Sequence, residues 1–443
     1  MNATRVIAEV LTIGDELLRG EIVDSNKSFL SERLLTLEVE TRFHASVRDD
    51  PADMRDAFLR ARERSDIVLV SGGLGPTRDD VTVEVLAETF GRKLWLDEPS
   101  LEAMRAFFER FGRTMAKINE KQAWFPEGAD VLANPVGTAP GCLLRVPGDA
   151  GGTEASFFCL PGVPRELYLM MDEQVLPRVA KSVSGSRADG SPAASVRATL
   201  LRTFGIGEST LEEELSDVAR DGEVSLGFRT SFPDNYLRPV ARGRTAEEAD
   251  ARLAAVCAEI RSKLGALVYG EGETTLEQVV GELLAERGLT LATAESCTGG
   301  LLGERITAVA GASAYYLGGA VTYSNESKVA LLGVPEPLLS EHGAVSPEVA
   351  CAMAEGARAR FGADLAISTT GISGPGGGTS EKPVGLVYVG FVSEAGSEAH
   401  EFEFPFDRPR HRMLTTQVAL DRVRRFLLGE PAAPPRYLAR NRT

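Results

Sequence analysis

Residues 288–300 carry the chain from an apolar run, Gly288-Leu289-Thr290-Leu291-Ala292, into TAESCTGG. Beyond it lie Leu301, Leu302, Ile306 and Val309, whose spacing fits one side of a helix. The pattern predicts a buried strand, a sharp turn and a helix, with Ser296 and Cys297 on the turn. A side chain there is presented outward, and unpaired N–H groups of the first helical turn can receive a developing oxyanion. Gly299 and Gly300 let a substrate come close to the backbone. If Ser296 or Cys297 does covalent chemistry, the C-terminal third is an acyl-transfer enzyme.

The same alternation recurs near the start of the chain. Strands are predicted at 5–13, 39–47 and 66–70, and helices from Asp24-Ser25-Asn26 through Leu35, over Pro51–Arg64 and over Asp79–Gly91. This is the signature of an α/β, doubly wound, mostly parallel sheet. At 443 residues the chain is too long for one core. The expected boundaries are 1–175 for the first α/β domain and 176–272 for a Ser/Gly/Ala-rich linker and a small α+β module. An α/β unit follows over 273–428, and 429–443 is expected to be a disordered tail.

The formal net charge of −16 argues against direct, sequence-independent binding of nucleic acid. The middle module has no G-x-x-G, so a nucleic-acid clamp of the KH type is not supported. Five scattered cysteines with no C-x-x-C pair suggest neither a disulfide framework nor a zinc site. With no signal peptide and no apolar run of about 18 residues, a cytoplasmic protein that does not engage the membrane is expected.

Three segments of the last unit carry candidate chemistry: the Ser296 turn, Tyr323-Ser324-Asn325-Glu326-Ser327-Lys328, and the loop Gly371–Gly385 with its run Ser373-Gly374-Pro375-Gly376-Gly377-Gly378-Thr379. An amide hydrolase needs a nucleophile, a base and oxyanion donors. None of the four histidines (44, 342, 400, 411) sits in a glycine-bounded turn. A Ser–Lys pair is the natural alternative, because a desolvated lysine can lose its proton near neutral pH. Bland readings stand beside these: a serine can be a helix cap, a lysine a solvated charge, a glycine loop only a turn. Cys297 is the direct rival of Ser296, being intrinsically more nucleophilic, although free cysteines are most often buried apolar residues. The glycine loop is not a Walker A motif, yet its N–H groups could wrap a phosphate.

Near the start, Gly14-Asp15-Glu16 follows the first strand, and Ser71-Gly-Gly-Leu-Gly-Pro-Thr-Arg-Asp-Asp80 follows the third. Both loops fall at the carboxyl ends of strands, where open α/β sheets bind ligands. Glycines at a helix start suit phosphate, and adjacent carboxylates suit a Mg²⁺-type ion. Asp79 and Asp80 could instead simply complement the helix dipole.

The motifs TAESCTGG, YSNESK and GISGPGGGTSEKPVG together resemble the C-terminal domain of the CinA (competence/damage-inducible protein A) family, a nicotinamide mononucleotide amidohydrolase. The resemblance covers roughly residues 274–428. It implies Ser296 as nucleophile, Lys328 as its base and Tyr323 as an assisting group, with no cofactor. Substrate would lie against Thr298, Gly299 and Gly300. Gly374, Gly376, Gly377 and Thr379, with Arg408 and Arg412, would hold its phosphate or ribose. GDELLRGEIVDSN, SGGLGPTRDD, the Asn119/Lys121/Gln122 run, GTAPG and LPGVPRE are similar to the molybdopterin-binding fold at the N-terminus of the same family. That likeness implies metal-dependent ADP-ribose pyrophosphatase activity, with a divalent ion (Mg²⁺ or Co²⁺) at Asp15, Glu16, Asp79 and Asp80. Asp80 would be catalytic and Gly73, Gly75 and Thr77 would contact phosphate. The implied role is pyridine-nucleotide salvage on small-molecule nucleotides, by a homodimer. Two other classes stay open: a pterin-binding protein with a vestigial C-terminus, and a competence-related scaffold.

Overall fold

The computed structural model describes residues 6–37, 39–148, 154–185, 195–218 and 222–436. They fall into two compact units. One is built from the chain up to Arg197 with Arg242–Asp250, the other from Ala198–Ala241 and the chain from Ala251 onward.

In the first unit six strands pair in the order Glu40–Val47, Ile7–Ile13, Ile67–Ser71, Ala155–Leu160, Gly141–Val146, Asp130–Leu132. The first four are parallel and the last two antiparallel. Successive strand residues face opposite sides, and here both sides are covered. Leu11, Val68, Val70 and Phe157 pack with Met54 and Phe58 of the Pro51–Arg64 helix. Val10, Leu69 and Phe158 pack with Leu30 and Leu34 of the Ser25–Leu35 helix, which Asp24 caps. The closing helices reach Gly185, past the expected boundary at 175. Most of the expected linker, 186–194, lies outside the described residues.

In the second unit the small module pairs Val224–Ser231, Asp234–Gly243, Leu201–Thr203 and Val268–Glu271 in that order, packed on the Ala246–Leu264 helix. The C-terminal sheet runs Tyr316–Val321, Leu291–Glu295, Leu365–Gly371, Leu386–Ser393, Gly396–Glu403, with the first three strands parallel. Helices Leu276–Arg287 and Arg408–Leu428 cover one face, and Pro347–Phe361 covers the other. Leu291–Glu295 is flanked by both of its parallel partners. Its carboxyl end is therefore a switch point, where such sheets open a crevice.

The module and the C-terminal helix share a buried polar junction. Asp234 accepts from Tyr269 Oη at 2.7 Å and from Gln417 Nε2 at 2.6 Å, and Arg305 donates to Gln417 Oε1 at 2.7 Å. Burial pushes the Asp234 carboxyl up to about 6. Beyond Gly429, where disorder was expected, the chain stays ordered through residue 436. Arg436 N donates to Gly205 O at 2.6 Å, and Pro434 and Pro435 help line a cavity of about 120 Å³ with Phe204, Val418 and Arg422. Three prolines, Pro431, Pro434 and Pro435, reduce the chain entropy lost on ordering, and Arg436 pairs with Glu214. Residues 437–443 lie outside the described set.

No helix among the described residues is long and apolar enough to cross a membrane. All five cysteines are free.

Gly390 shows how tightly helix and sheet meet beside the crevice. A Cβ there would stand 2.4 Å from Ala350 O and 2.5 Å from Ser368 Oγ. Gly390→Ala should therefore destabilise the full chain by about 1–3 kcal/mol, read as a lower urea midpoint. An unchanged midpoint would mean the helix can back away freely.

Candidate active site

The nucleophile turn forms because the chain must leave the sheet at once. Ser296 N still bonds Thr369 O of the neighbouring strand at 2.9 Å, and Gly299 and Gly300 then reverse the backbone at φ 59° and 94°. Those angles are left-handed, which explains glycine at both positions. The helix that follows, Leu301–Thr307, is not left with free N–H groups, contrary to expectation. The buried Glu295 carboxylate accepts from Gly300 N (2.9 Å), Leu302 N (3.0 Å) and Gly303 N (2.8 Å). Among the described residues, the N–H groups of Cys297 and Thr298 donate to no protein acceptor.

Lys328 sits on the helix Asn325–Leu332, capped by Ser324. Its side chain turns inward and is only 1% exposed. Nζ donates to Thr322 O at 2.9 Å and to Ser296 Oγ at 3.2 Å, and makes no ion pair among the described residues. Desolvation pushes the amine below its ordinary 10.5, against the weaker pull of Cys297 and Glu326. Cys297 turns into the apolar cluster with Leu302, Leu365 and Leu414, and burial pushes its thiol up to about 12. A thiol held there is almost wholly protonated at neutral pH, and it is the Ser296 hydroxyl that Lys328 Nζ reaches.

The other expected residues divide. Thr298 is fully buried, its hydroxyl bonded to Thr369 Oγ1 at 2.7 Å, so its side chain is structural. Arg412 donates to Thr298 O from Nε at 3.1 Å and Nη2 at 2.5 Å; it braces the turn and does not face out as a free phosphate ligand. Tyr323 is 62% exposed and bonds neither Ser296 nor Lys328; its hydroxyl accepts from Arg408 Nη2 at 2.8 Å. Arg408 also donates to Gly374 O at 3.1 Å, joining Tyr323 to the glycine loop at the mouth. Gly376, Gly377 and Thr379 are exposed, and Thr379 closes its own turn with Lys382.

In the first unit the expected residues gather around the carboxyl ends of the Ile7–Ile13 and Ile67–Ser71 strands. Gly73 (φ 66°) lies under Thr82, and a Cβ on Gly75 would meet the Asp80 carboxylate at 2.4 Å. Gly73, Gly75, Asp80, Lys121 and Gln122 line one small crevice. Thr77, expected to contact phosphate, instead donates to Asp80 from N at 2.9 Å and from Oγ1 at 2.5 Å. Asp15 is held by Arg19 at 2.5 Å. Burial raises the Asp49 carboxyl, and the charges of Glu16, Asp15 and Asp79 add to that. Yet among the described residues no three His, Cys, Asp or Glu side chains converge to hold an ion. Asp15, Glu16, Asp79 and Asp80 are thus not brought together as one ligand set.

Sequence reasoning missed Glu295, although a carboxylate directly before a glycine-bounded helix start was a usable sign. Replacing it by Gln leaves one acceptor oxygen for three N–H groups. Glu295→Gln should cost about 1–3 kcal/mol and expose Cys297 to alkylation at pH 8. Wild-type stability with a still protected thiol would show that the cap is dispensable.

Three family models match the chain: a CinA C-terminal domain over 273–427, a probable molybdopterin binding domain over 9–181, and a damage-inducible protein CinA KH domain over 198–270. The last match gives the α+β module a KH-like fold, although it lacks G-x-x-G. A CinA-like protein of Dictyoglomus turgidum is 42% identical over 95% of this chain and 99% of its own length. A putative competence-damage inducible protein of Symbiobacterium thermophilum is 46% identical over 96% and 99%. The solved competence/damage inducible protein CihA of Agrobacterium tumefaciens is 41% identical, covering 33% of this chain and 91% of its own, at a TM-score of 0.33.

Proposed function

The chain belongs to the CinA family, and from that premise we propose that its C-terminal domain hydrolyses the carboxamide of nicotinamide mononucleotide through an acyl-enzyme on Ser296. The observation that carries this reading is a fully buried lysine with no carboxylate partner, its Nζ 3.2 Å from a serine hydroxyl on a strand-to-helix turn. Such burial disfavours the charged form of the amine. Neutral, it keeps one hydrogen on Thr322 O and offers its lone pair to the Ser296 O–H.

The steps follow from these positions. Ser296 Oγ attacks the amide carbon as its proton passes to Lys328 Nζ. The oxygen's new charge faces the N–H groups of Cys297 and Thr298. The C–N bond breaks with return of the proton from Lys328 to the leaving nitrogen, giving ammonia and an ester on Ser296. Water, deprotonated by Lys328, then attacks that ester; the acyl C–O bond to Ser296 breaks as Lys328 returns the proton to Ser296 Oγ, which releases nicotinic acid mononucleotide and restores the neutral amine. Arg408, Tyr323 and the glycine loop supply the groups at the mouth that would hold phosphate and ribose. Ser296→Ala should abolish ammonia release, and Cys297→Ala should retain it. The reverse result would assign the chemistry to the thiol. Because Lys328 works unprotonated and burial lowers its pKa, kcat/KM should fall as pH drops through that value and reach its plateau below pH 10.5. Lys328→Met should remove the plateau and lower the rate by about 10²–10⁴-fold.

For the N-terminal domain we infer a phosphate-ligand cleft between Gly73–Gly75 and Lys121–Gln122, with ADP-ribose as the leading candidate. The glycine backbone and Lys121, whose Nζ now bonds Thr77 O and Asp80 O, support it. AMP release from ADP-ribose with Mg²⁺ or Co²⁺, lost in Asp80→Ala, would make the domain a hydrolase. Saturable binding of ADP-ribose without AMP would make it a binding domain, and neither would remove the reading.

A further inference from the structure

One buried pair, His411 and Ser373, lies outside the proposed Ser296–Lys328 chemistry. His411 is fully buried on the first turns of the Arg408–Leu428 helix. Its Nε2 lies 3.1 Å from Gly385 O and its Nδ1 2.9 Å from Ser373 Oγ. A carbonyl can only accept, so Nε2 carries the hydrogen; in the neutral ring that burial favours, Nδ1 accepts from the serine. Ser373 and Gly385 lie at opposite ends of the glycine loop. Between them the neck is closed by Ile372 N to Leu386 O and Gly385 N to Ile372 O, each 2.8 Å. The Ser373 hydroxyl also lies against the Cys297 thiol, the neighbour of the nucleophile. On the same helical turns, Arg408 holds Gly374 O and Arg412 holds Thr298 O. One stretch of helix thus pins both ends of the loop and the nucleophile turn.

We propose that His411 is a positioning residue that clamps the neck of the Gly371–Gly385 loop at a fixed distance from Ser296, and so sets the preference for a phosphorylated nucleotide over its nucleoside. The imidazole touches no reacting atom. It is suited to the task because it is rigid and can donate at one edge while accepting at the other, which no aliphatic side chain does. With the clamp open, the loop N–H groups no longer meet the phosphate while the nucleophile is aimed at the amide. This rests on the amidase reading given above.

The test compares kcat/KM for nicotinamide mononucleotide and for the same nucleoside lacking phosphate, in the full chain, for wild type, Ser373→Ala, His411→Gln and the double variant. Each single variant should reduce the nucleotide preference by about tenfold, through KM more than kcat. The double variant should be no worse than His411→Gln alone, because both act through one link. Folded variants in which both substrates fall together, with the preference intact, would overturn the proposal. A wild type that releases no ammonia would sink the amidase reading instead, and hydrogen exchange then decides the clamp. The Ile372 and Gly385 amides should exchange about tenfold faster in His411→Gln; unchanged exchange would overturn it.

Discussion

The C-terminal site depends on one costly placement, an amine removed from water with no carboxylate to balance it. Taking a lysine out of water without a counter-ion disfavours its charge, so burial pushes the Lys328 amine below its ordinary value. Cys297 and Glu326 pull weakly the other way, and no carboxylate pairs with the amine among the described residues. Thr322 offers a carbonyl, Ser296 a hydroxyl, and Glu295, the nearest buried carboxylate on the turn, has its oxygens committed to three backbone N–H groups.

The sheet topology makes this placement possible. The Leu291–Glu295 strand ends between two parallel partners, so the chain must turn sharply in a crevice that helices flank from both faces. The last helix then returns across the crevice with Arg408, His411 and Arg412 in its first turns. It braces the nucleophile turn and the glycine loop from one rigid element, which is how a site on loops acquires fixed geometry.

Much of this was legible in residue order. The Ser25–Leu35 helix starts at its expected cap, Asp24, and the Pro51–Arg64 helix stands where it was expected. So does the strand–turn–helix around Ser296, because glycines and a strand's end are local facts. What could not be read depends on partners far apart in sequence. The strands Gly141–Val146 and Asp234–Gly243 were missed because their apolar residues do not form a distinctive run. His411 was set aside for lacking a glycine-bounded turn, yet its partners lie at Ser373 and Gly385. The resemblance put Arg412 at the phosphate or ribose, and only the fold shows Thr298 O in its grip. Thr77 and Asp80 were read as separate ligands, and the turn between them binds one to the other.

The charge state of Lys328 is therefore the point on which the account stands. Lysine-selective NMR on the full chain, with the Lys328 resonance assigned from its absence in Lys328→Met, would follow the amine through its titration. The account predicts a midpoint below the ordinary 10.5, with the neutral form bonded to Ser296. A midpoint at or above that value would mean a charged lysine that cannot take the serine's proton, and would contradict the mechanism.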